Sequence, residues 1–190
     1  MTDTDSYLLE QMRRGDDLAF EALYLRHHSG VYRVLYGLLR VREWTEDLLQ
    51  ETFLELYRNP PALRAENSLI SWLCRVALNR GYNALRGEGR SKERIERTVS
   101  LEQSPDPAIE VLRAEENSRV RVVLARLPAH QGKLLLLRYA GLSYAECAAA
   151  LEVAPGSIGT LLVRAERAFR EAYSVSEGSG QPDLLERTAT

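Results

Sequence analysis

The helix predicted over residues 69–86 carries side chains of the types that contact single-stranded nucleic acid. One side of it, here called the reading stripe, consists of Arg75, Asn79, Tyr82 and Arg86, with Arg80 and Asn83 beside it. Arginines pair with phosphates, amides read base edges, and aromatic rings stack on unpaired bases. A solvated helix face is the alternative interpretation, and Trp72 near the start of this helix is more typical of a core residue than of a stacking platform.

A second distinctive surface lies on the helix predicted over residues 45–58. Thr45 can cap its N-terminus, where carboxylates are also favoured. An apolar stripe at helical spacing predicts the side that meets a core: Leu49, Phe53, Leu56 and Tyr57. The other side, here called the carboxylate face, carries Asp47, Gln50, Glu51 and Glu55, with Arg58 at its end. A face of this kind is most often a solvated surface, so its spacing alone assigns no partner.

Composition limits what the whole chain can do. Its 190 residues suit two small domains. The 25 basic and 27 acidic residues give a formal net charge of −2, so the chain lacks the overall positive field of a typical nucleic-acid binder. Any role on DNA must rest on local surfaces, or on a partner that supplies the positive charge.

The sequence predicts a cytosolic protein without a metal or cofactor. It has no run of about 18 apolar residues, and its first residues are acidic and unlike a signal peptide. The three histidines have no companions at metal-ligand spacing. Cys74 and Cys147 stand among apolar residues on different predicted helices, and we expect small buried side chains here instead of a redox pair.

The first half of the sequence predicts a bundle of helices. They cover residues 7–28 with an interruption near Gly15, then 31–41, 45–58 and 69–86. Asn59-Pro60-Pro61 ends the third of these, because proline lacks an amide donor and disfavours the helical conformation in the residue before it. No alternating pattern of useful length predicts a β-strand.

The second half predicts a helix-turn-helix. Residues 87–107 have the glycine, proline, serine and mixed charge of a linker, and helices follow at 108–127 and around 134–139. Ser143 and Glu146 are spaced as a capping box at the start of a short helix. A tight turn then leads to the helix that Pro155 begins and that ends near Tyr173, the recognition helix of the motif.

The recognition helix has an apolar stripe for packing, formed by Ile158, Leu162, Ala165 and Phe169. Its opposite side carries Ser157, Thr160, Arg164 and Arg167, with Gly159 and Leu161 at the margins. The first turns of such a helix contact base edges, so Arg164 and Arg167, which lie deeper, are better placed to hold phosphates.

The first half resembles the extracytoplasmic-function sigma factors, group IV of the sigma-70 family of bacterial RNA polymerase. Asp47, Gln50, Glu51 and Phe53 match the family motif D-x-x-Q-E-x-F, which grips the polymerase. Residues 66–86 are similar to the family block E-S-S-F-x-x-W-L-x-x-I-A-x-N-x-x-x-D-x-L-R. This chain departs from that block at two positions: Ile70 for the common arginine and Asn83 for the usual aspartate.

The second half resembles the fourth conserved region of the same family. The similarity runs through Leu127-Pro128, residues 135–139, 141–146, 156–158 and 164–170. The two blocks follow one another in the family's order and together cover about residues 18–90 and 108–173. Gly159 and Leu161 stand near positions where the family usually has lysine and arginine.

The resemblance implies an all-α fold of two helical domains joined by a flexible linker. A region 2 domain would cover residues 7–90, a linker 91–107 and a region 4 helix-turn-helix domain 108–173, before a disordered tail at 174–190. The implied function is that of a sigma factor, which is not an enzyme. It directs RNA polymerase core to promoters, recognises their −10 and −35 elements and melts the −10 region. The implied partners are polymerase core, promoter DNA and an anti-sigma factor.

The resemblance also implies which residues contact each partner. Polymerase core would bind the carboxylate face, Asp47, Gln50, Glu51 and Glu55. The −10 element would contact Arg64, Asn67, Ser68, Trp72, Arg75, Asn79, Arg80, Tyr82, Asn83 and Arg86. The −35 element would contact Arg138, Ser157, Thr160, Leu161, Arg164 and Arg167.

Two alternatives stay open from the sequence. One is an ordinary helix-turn-helix repressor, which would bind an operator tightly as a symmetric dimer but leaves the first half of the chain unexplained. The net negative charge and the weakly basic recognition helix also suit a sigma-like decoy, which binds an anti-sigma factor without driving transcription. The sigma-factor hypothesis predicts that the chain binds core polymerase, and the decoy hypothesis predicts that it does not.

Overall fold

The computed structural model describes residues 4–63, 68–88 and 107–178, and the statements below concern these residues. Within them the chain is all-α, as predicted, and contains no strand. The helices are α1 (Asp5–Arg13), α2 (Asp17–Leu39), α3 (Arg42–Arg58), α4 (Leu69–Glu88), α5 (Pro107–Arg126), α6 (Ala129–Tyr139), α7 (Tyr144–Leu151) and α8 (Ile158–Gly178), with a 3-10 turn at Pro155–Ser157.

No single helix in the described ranges is long and apolar enough to cross a membrane. Within those ranges, the segments Tyr144–Leu151 and Pro155–Val175 reach the length and apolar composition of a membrane span only when they are joined. They are bent by 110° relative to each other.

The prediction of a helix break between residues 28 and 31 was wrong, because α2 runs without interruption from Asp17 to Leu39. Gly30 does not end a helix, and instead it allows α2 to pack closely against α4. A Cβ at this position would lie 3.1 Å from Cδ1 of Ile70 on α4, so the absence of a side chain lets the two helices approach. The helix ends where Arg40 adopts a left-handed conformation, with φ at 54°.

The prediction that Thr45 caps α3 was also wrong. The helix begins three residues earlier, at Arg42, and Thr45 is fully buried inside its first turns. The Thr45 hydroxyl donates a hydrogen bond of 2.7 Å to the Val41 carbonyl, which satisfies the hydroxyl within the helix. Asn59 and the prolines after it end the helix as predicted.

The local signals of the helix-turn-helix are confirmed. The Ser143 hydroxyl accepts from the Glu146 amide at 3.2 Å, and the Glu146 carboxylate accepts from the Ser143 amide at 2.7 Å, a complete capping box. Gly141, with φ at 94°, makes the turn before it. Helix α8 extends to Gly178, so residues 174–178 are helical and not part of a disordered tail. Residues 89–106, which include nearly all of the linker predicted at 91–107, lie outside the described residues, as do residues 179–190.

The two halves share one continuous apolar core. In the first half, α2 is the central helix, against which α1, α3 and α4 pack. In the second half, α8 packs against α5, α6 and α7. The halves then meet where α4 packs on α7 and where the end of α2 packs on α5 and α6. Buried residues of both halves, such as Leu38, Leu78, Leu136 and Cys147, belong to the same core cluster.

An ion-pair cluster fastens α1 to α2 near the N-terminus. Asp5 accepts hydrogen bonds from Arg26 at 2.6 Å and from the His27 ring at 2.9 Å. Burial by itself raises the pKa of the Asp5 carboxyl, but these two bonds and the charges of their donors outweigh burial and hold the pKa below its usual value.

We predict that Asp5→Asn destabilises the fold by about 1–2 kcal/mol at pH 7, because it removes charge-assisted hydrogen bonds. A carboxyl with a lowered folded-state pKa stabilises the fold above its ordinary pKa of about 4, and that contribution is lost as pH falls through the lowered value. Urea unfolding of wild type and variant should therefore differ at pH 7, and the difference should shrink as the pH falls below about 4. The exposed carboxylate change Glu10→Gln is the control, and an undiminished difference for Asp5→Asn at acid pH would contradict the assignment.

Candidate polymerase and nucleic-acid interfaces

The carboxylate face lies on the outer side of α3. Asp47, Gln50 and Glu51 are exposed and Glu55 is half-buried, so the predicted set forms one accessible surface. Arg80, which lies beside the reading stripe on α4, reaches this surface and pairs with Glu51 at 3.1 Å and with Glu55 at 2.9 Å. Glu51 and Glu55, two of the four residues predicted to contact polymerase, are thus paired with Arg80, which is predicted to contact DNA.

The exposed side of α3 also has an apolar part that sequence reasoning missed. Leu54 is 46% exposed, and it follows Gln50 and Glu51 by four and three residues, which puts it on their side of the helix. Tyr57 was assigned to the core stripe, but it is 49% exposed, with its ring edge on Phe20. The helical spacing from Gln50 to Leu54 was the available signal, and together these side chains make an exposed surface that is partly polar and partly apolar.

The reading stripe on α4 is only partly open to solvent. Asn79, Asn83 and Arg86 are exposed, whereas Trp72 packs against the core, as its residue type suggested. The Ser68 hydroxyl is within 2.7 Å of the Ser71 hydroxyl at the start of the helix. Arg64 and Asn67 lie outside the described residues.

Tyr82 corrects the prediction of a solvent-facing base-stacking residue, because its side chain is buried and only 7% exposed. It fills a gap on α6, where a Cβ at Gly132 would lie 2.3 Å from the tyrosine hydroxyl oxygen. Among the described residues that hydroxyl has no hydrogen-bond partner, and burial raises its pKa to about 12. The Lys133 ammonium lies 5.7 Å from the ring centroid. Helical spacing identified the stripe but did not reveal that α6 would cover part of it.

Two further members of the reading stripe contact the second half of the chain. Arg75 forms an ion pair with Glu152, in the turn after α7. The side-chain oxygen of Asn79 accepts a hydrogen bond of 2.6 Å from Lys133 on α6. Both contacts border a cleft of about 330 Å³ between the halves, which Leu161 of α8 also lines. The side of α4 predicted to meet the −10 element is therefore the side that meets the helix-turn-helix.

The predicted −35 residues separate into two groups. Thr160, Arg164 and Arg167 are exposed on α8, and Arg167 pairs with Glu171 one turn later at 2.7 Å. The others are engaged within the fold. Leu161 is half-buried at the cleft, the Ser157 hydroxyl donates to the Ala154 carbonyl, and Arg138 donates to the Leu142 carbonyl beside the Tyr144 ring. As folded, Arg138 stabilises the turn before α7.

Two family descriptions match the chain, and they match its two halves. Sigma-70 region 2 matches residues 23–91, which include most of α2 and all of α3 and α4. Sigma-70, region 4 matches residues 118–169, which include α6, α7 and more than half of α8. The chain belongs to the sigma-70 family, in its extracytoplasmic-function group. Similarity to proteins of that group extends over nearly the whole chain.

Two sigma factors illustrate the similarity in sequence. The chain is 27% identical to the RNA polymerase sigma-H factor of Pseudomonas aeruginosa over 179 residues, which cover 88% of this chain and 93% of that protein. It is 28% identical to the ECF RNA polymerase sigma-E factor of Escherichia coli over 177 residues, or 87% and 92% of the two chains.

Two solved structures have a similar fold. CnrH, in complex with the cytosolic domain of CnrY, superposes with a TM-score of 0.64 at 20% identity, over 94% of this chain and all of that one (100%). The sigma factor RpoE, in complex with the anti-sigma factor NepR from Bartonella quintana, gives a TM-score of 0.54 at 21% identity, over 82% and 97%.

We predict that Tyr82→Phe leaves this sigma factor as stable as wild type or more stable by up to about 1 kcal/mol. A buried hydroxyl without a partner carries a desolvation cost that phenylalanine does not have, and the ring keeps the same packing. Urea unfolding at neutral pH measures the difference. Tyr57→Phe, which removes an exposed hydroxyl, should change stability by less than about 0.5 kcal/mol. A loss greater than about 1 kcal/mol in Tyr82→Phe would mean that the hydroxyl is hydrogen-bonded in solution.

Proposed function

We propose that this chain is a promoter-selecting sigma factor, which binds RNA polymerase core, recognises the −10 and −35 elements and melts the −10 region. The observation that carries the proposal is the presence of region 2 and region 4 in one chain, in that order. Each region supplies a distinct surface, α3 and α4 in the first and the helix-turn-helix in the second. The decoy alternative is not favoured by these matches.

Polymerase core binds the carboxylate face in this proposal. Asp47 and Gln50 are exposed side chains within one turn of each other, and Leu54 adds an apolar contact on the same side of the helix. An apolar residue amid polar ones suits a protein partner, because burying it supplies binding energy while the polar groups fix orientation.

The −10 element meets the reading stripe and the segment before it. Arginines of α4 neutralise phosphates, and Asn79 and Asn83 present amides that can bond to base edges. Melting needs no ATP in this scheme, since bases trapped by stacking and hydrogen bonds offset the few kcal/mol of lost base stacking. The −35 element meets α8, where Arg164 is an exposed cation and Thr160 is exposed in the first turns.

An anti-sigma factor is the regulatory partner that we propose. Both similar solved structures are complexes with a second protein, and in one of them that protein, NepR, is an anti-sigma factor. The chain would work in the cytoplasm, where polymerase and promoter DNA are found. The sigma-70 family consists of transcription initiation factors that are not enzymes, and the proposal includes no catalytic residue.

Run-off transcription with purified core polymerase tests the function. Promoter-specific transcripts should appear from a genomic promoter library when the chain is added, and core polymerase alone should give none. The absence of any specific transcript, from a chain of normal helicity that binds core polymerase, would contradict the proposal. Binding to an anti-sigma factor but not to core polymerase would revive the decoy hypothesis.

The same assay assigns the carboxylate face. Asp47→Ala with Gln50→Ala should weaken polymerase binding and lower transcript yield, while stability changes by less than about 0.5 kcal/mol because both side chains are exposed. Glu10→Ala removes an exposed carboxylate from α1 and should leave both readouts unchanged. Unaltered polymerase affinity in the double variant would show that α3 docks through other residues.

We predict that promoter discrimination depends more on −10 than on −35. The recognition helix has Gly159 and Leu161 in its first turns, Leu161 is half-buried, and Arg167 is shared with Glu171. Few groups remain to read base edges, so single −35 substitutions should cost less than the roughly 1–3 kcal/mol usual at a well-read position. Substitutions in −10 should reach that range. Open-complex formation on every single-base promoter variant measures both, and equal or larger penalties at −35 would contradict the prediction.

A further inference from the structure

An apolar cavity lies where the end of α2 meets α5, α6 and α8, away from both proposed interfaces. Its volume is about 420 Å³. Sites for small molecules typically measure roughly 300–1,000 Å³ and often lie between domains. None of the residues that line this cavity was assigned to polymerase or to a promoter element. The proposed function therefore leaves the cavity unexplained.

The walls of the cavity are apolar side chains, most of them from the second half of the chain. They are Val120, Leu124, Leu135, Leu136 and Phe169. Tyr139 also lines the cavity, and because it is 72% exposed it marks the side that is open to solvent. An apolar body placed against these walls would be removed from water, which is the main source of binding energy in such a site.

One polar group of the cavity lining lacks a partner. Arg40 lines the cavity, and its Nε is buried without a hydrogen-bond acceptor among the described residues. Its Nη1 donates to the Asn117 side-chain oxygen at 3.4 Å, and its guanidinium carbon lies 5.9 Å from the Tyr36 ring centroid. Both contacts are long, so the guanidinium can turn toward an acceptor in the cavity. A carboxylate would satisfy the Nε–H group in the side-on geometry that suits arginine.

We propose that this cavity binds a small amphiphilic carboxylic acid, of the medium-chain fatty acid class, with its apolar chain against the walls and its carboxylate on Arg40. The proposal goes beyond the proposed function and does not depend on it. Since the cavity is built by helices of both halves, a bound acid adds contacts to each of them and stabilises the folded chain.

The rim of the cavity favours a head group with a single charge. Arg170 and Glu166 both line the cavity and are exposed on α8. Arg170 adds a second cation, whereas the Glu166 carboxylate repels an anion, and this repulsion increases with the charge of the ligand. A carboxylate carries one negative charge, but a phosphate monoester carries about 1.5 to 2 at neutral pH. A carboxylic acid therefore fits the rim better than a phosphorylated compound.

Isothermal titration calorimetry with sodium octanoate tests the proposal on the full chain, at neutral pH and below the critical micelle concentration. 1-Octanol has the same chain length without the charge. We expect one octanoate to bind per chain and to raise the unfolding temperature. Octanol should bind roughly tenfold more weakly, because it lacks the charge-assisted hydrogen bond. Absence of saturable octanoate binding would overturn the proposal.

Arg40→Met tests the head-group contact, because methionine keeps an unbranched apolar stem and removes the guanidinium. Octanoate affinity should fall by roughly tenfold, while octanol affinity should change by less than about twofold. Arg126→Met is the matched control, since Arg126 is exposed near the cavity on α5 but does not line it. Arg126→Met should bind both ligands as wild type does. Unchanged octanoate affinity in Arg40→Met would refute the assignment of the carboxylate to Arg40.

Val120→Phe tests the location of the apolar chain and keeps the experiment decisive if Arg40→Met does not fold, as judged by circular dichroism. The larger side chain occupies the cavity, so binding of both octanoate and octanol should be lost. Val122→Phe adds the same volume on the same helix at a side chain that is 42% exposed and outside the lining, and it should bind as wild type does. Equal octanoate binding in Val120→Phe and wild type would show adsorption elsewhere and overturn the proposal.

Light scattering on the same samples distinguishes a protein occupant from a small molecule. The proposal predicts that the cavity is free in the isolated chain, so Val120→Phe should not alter the oligomeric state. A wild-type dimer that Val120→Phe dissociates and octanoate does not would show that a second copy of the chain covers the cavity, and the proposal would then be wrong.

Discussion

The closeness of helix packing around α2 and α4 is the constraint on which the rest of the structure depends. Glycines stand where these helices meet their neighbours: a Cβ would lie 2.7 Å from Leu38 at Gly81, 2.9 Å from Leu136 at Gly37 and 2.3 Å from Tyr82 at Gly132. Such distances leave no room for a larger residue without movement. The first contact fixes α4 on α2, and the other two fix α6 on both helices. The core is therefore continuous between the halves.

This packing gives α3 and α4 opposite situations in the free chain. The carboxylate face of α3 points to solvent, whereas α4 is held on the side that its polar residues would use for DNA. On the proposed roles, the surface for polymerase is open in the folded chain and the surface for the promoter is partly covered. The net charge of −2 also gives the free chain little attraction for duplex DNA.

Signals that lie within a few residues could be predicted from the sequence, and contacts between distant segments could not. The Ser143–Glu146 capping box and the proline stop after α3 depend on nearby residues, and both are confirmed. The predicted break between residues 28 and 31 was wrong, because the packing partner of Gly30, Ile70, is 40 positions away along the chain. Tyr82 was misassigned to solvent for the same reason, since helical periodicity gives its side of α4 but not what covers that side. Residue type and spacing identified the candidate site residues, but they did not show which of these residues distant segments of the chain would cover.

Ion pairs join the surface that we propose for polymerase to the surface that we propose for DNA. Arg80 pairs with both Glu51 and Glu55 across the contact between α3 and α4, so a cation beside the reading stripe is held by the carboxylate face. A polymerase group that takes over Glu51 removes one of the two partners of Arg80 and leaves more of its charge for a phosphate. These pairs are partly solvated, so each contributes little energy alone, and the effect lies in where the arginine points. Arg75 stands in the same relation to Glu152 on the region 4 side. On the proposed roles of these surfaces, the cationic character of this side of α4 would increase as its intramolecular carboxylates are drawn away.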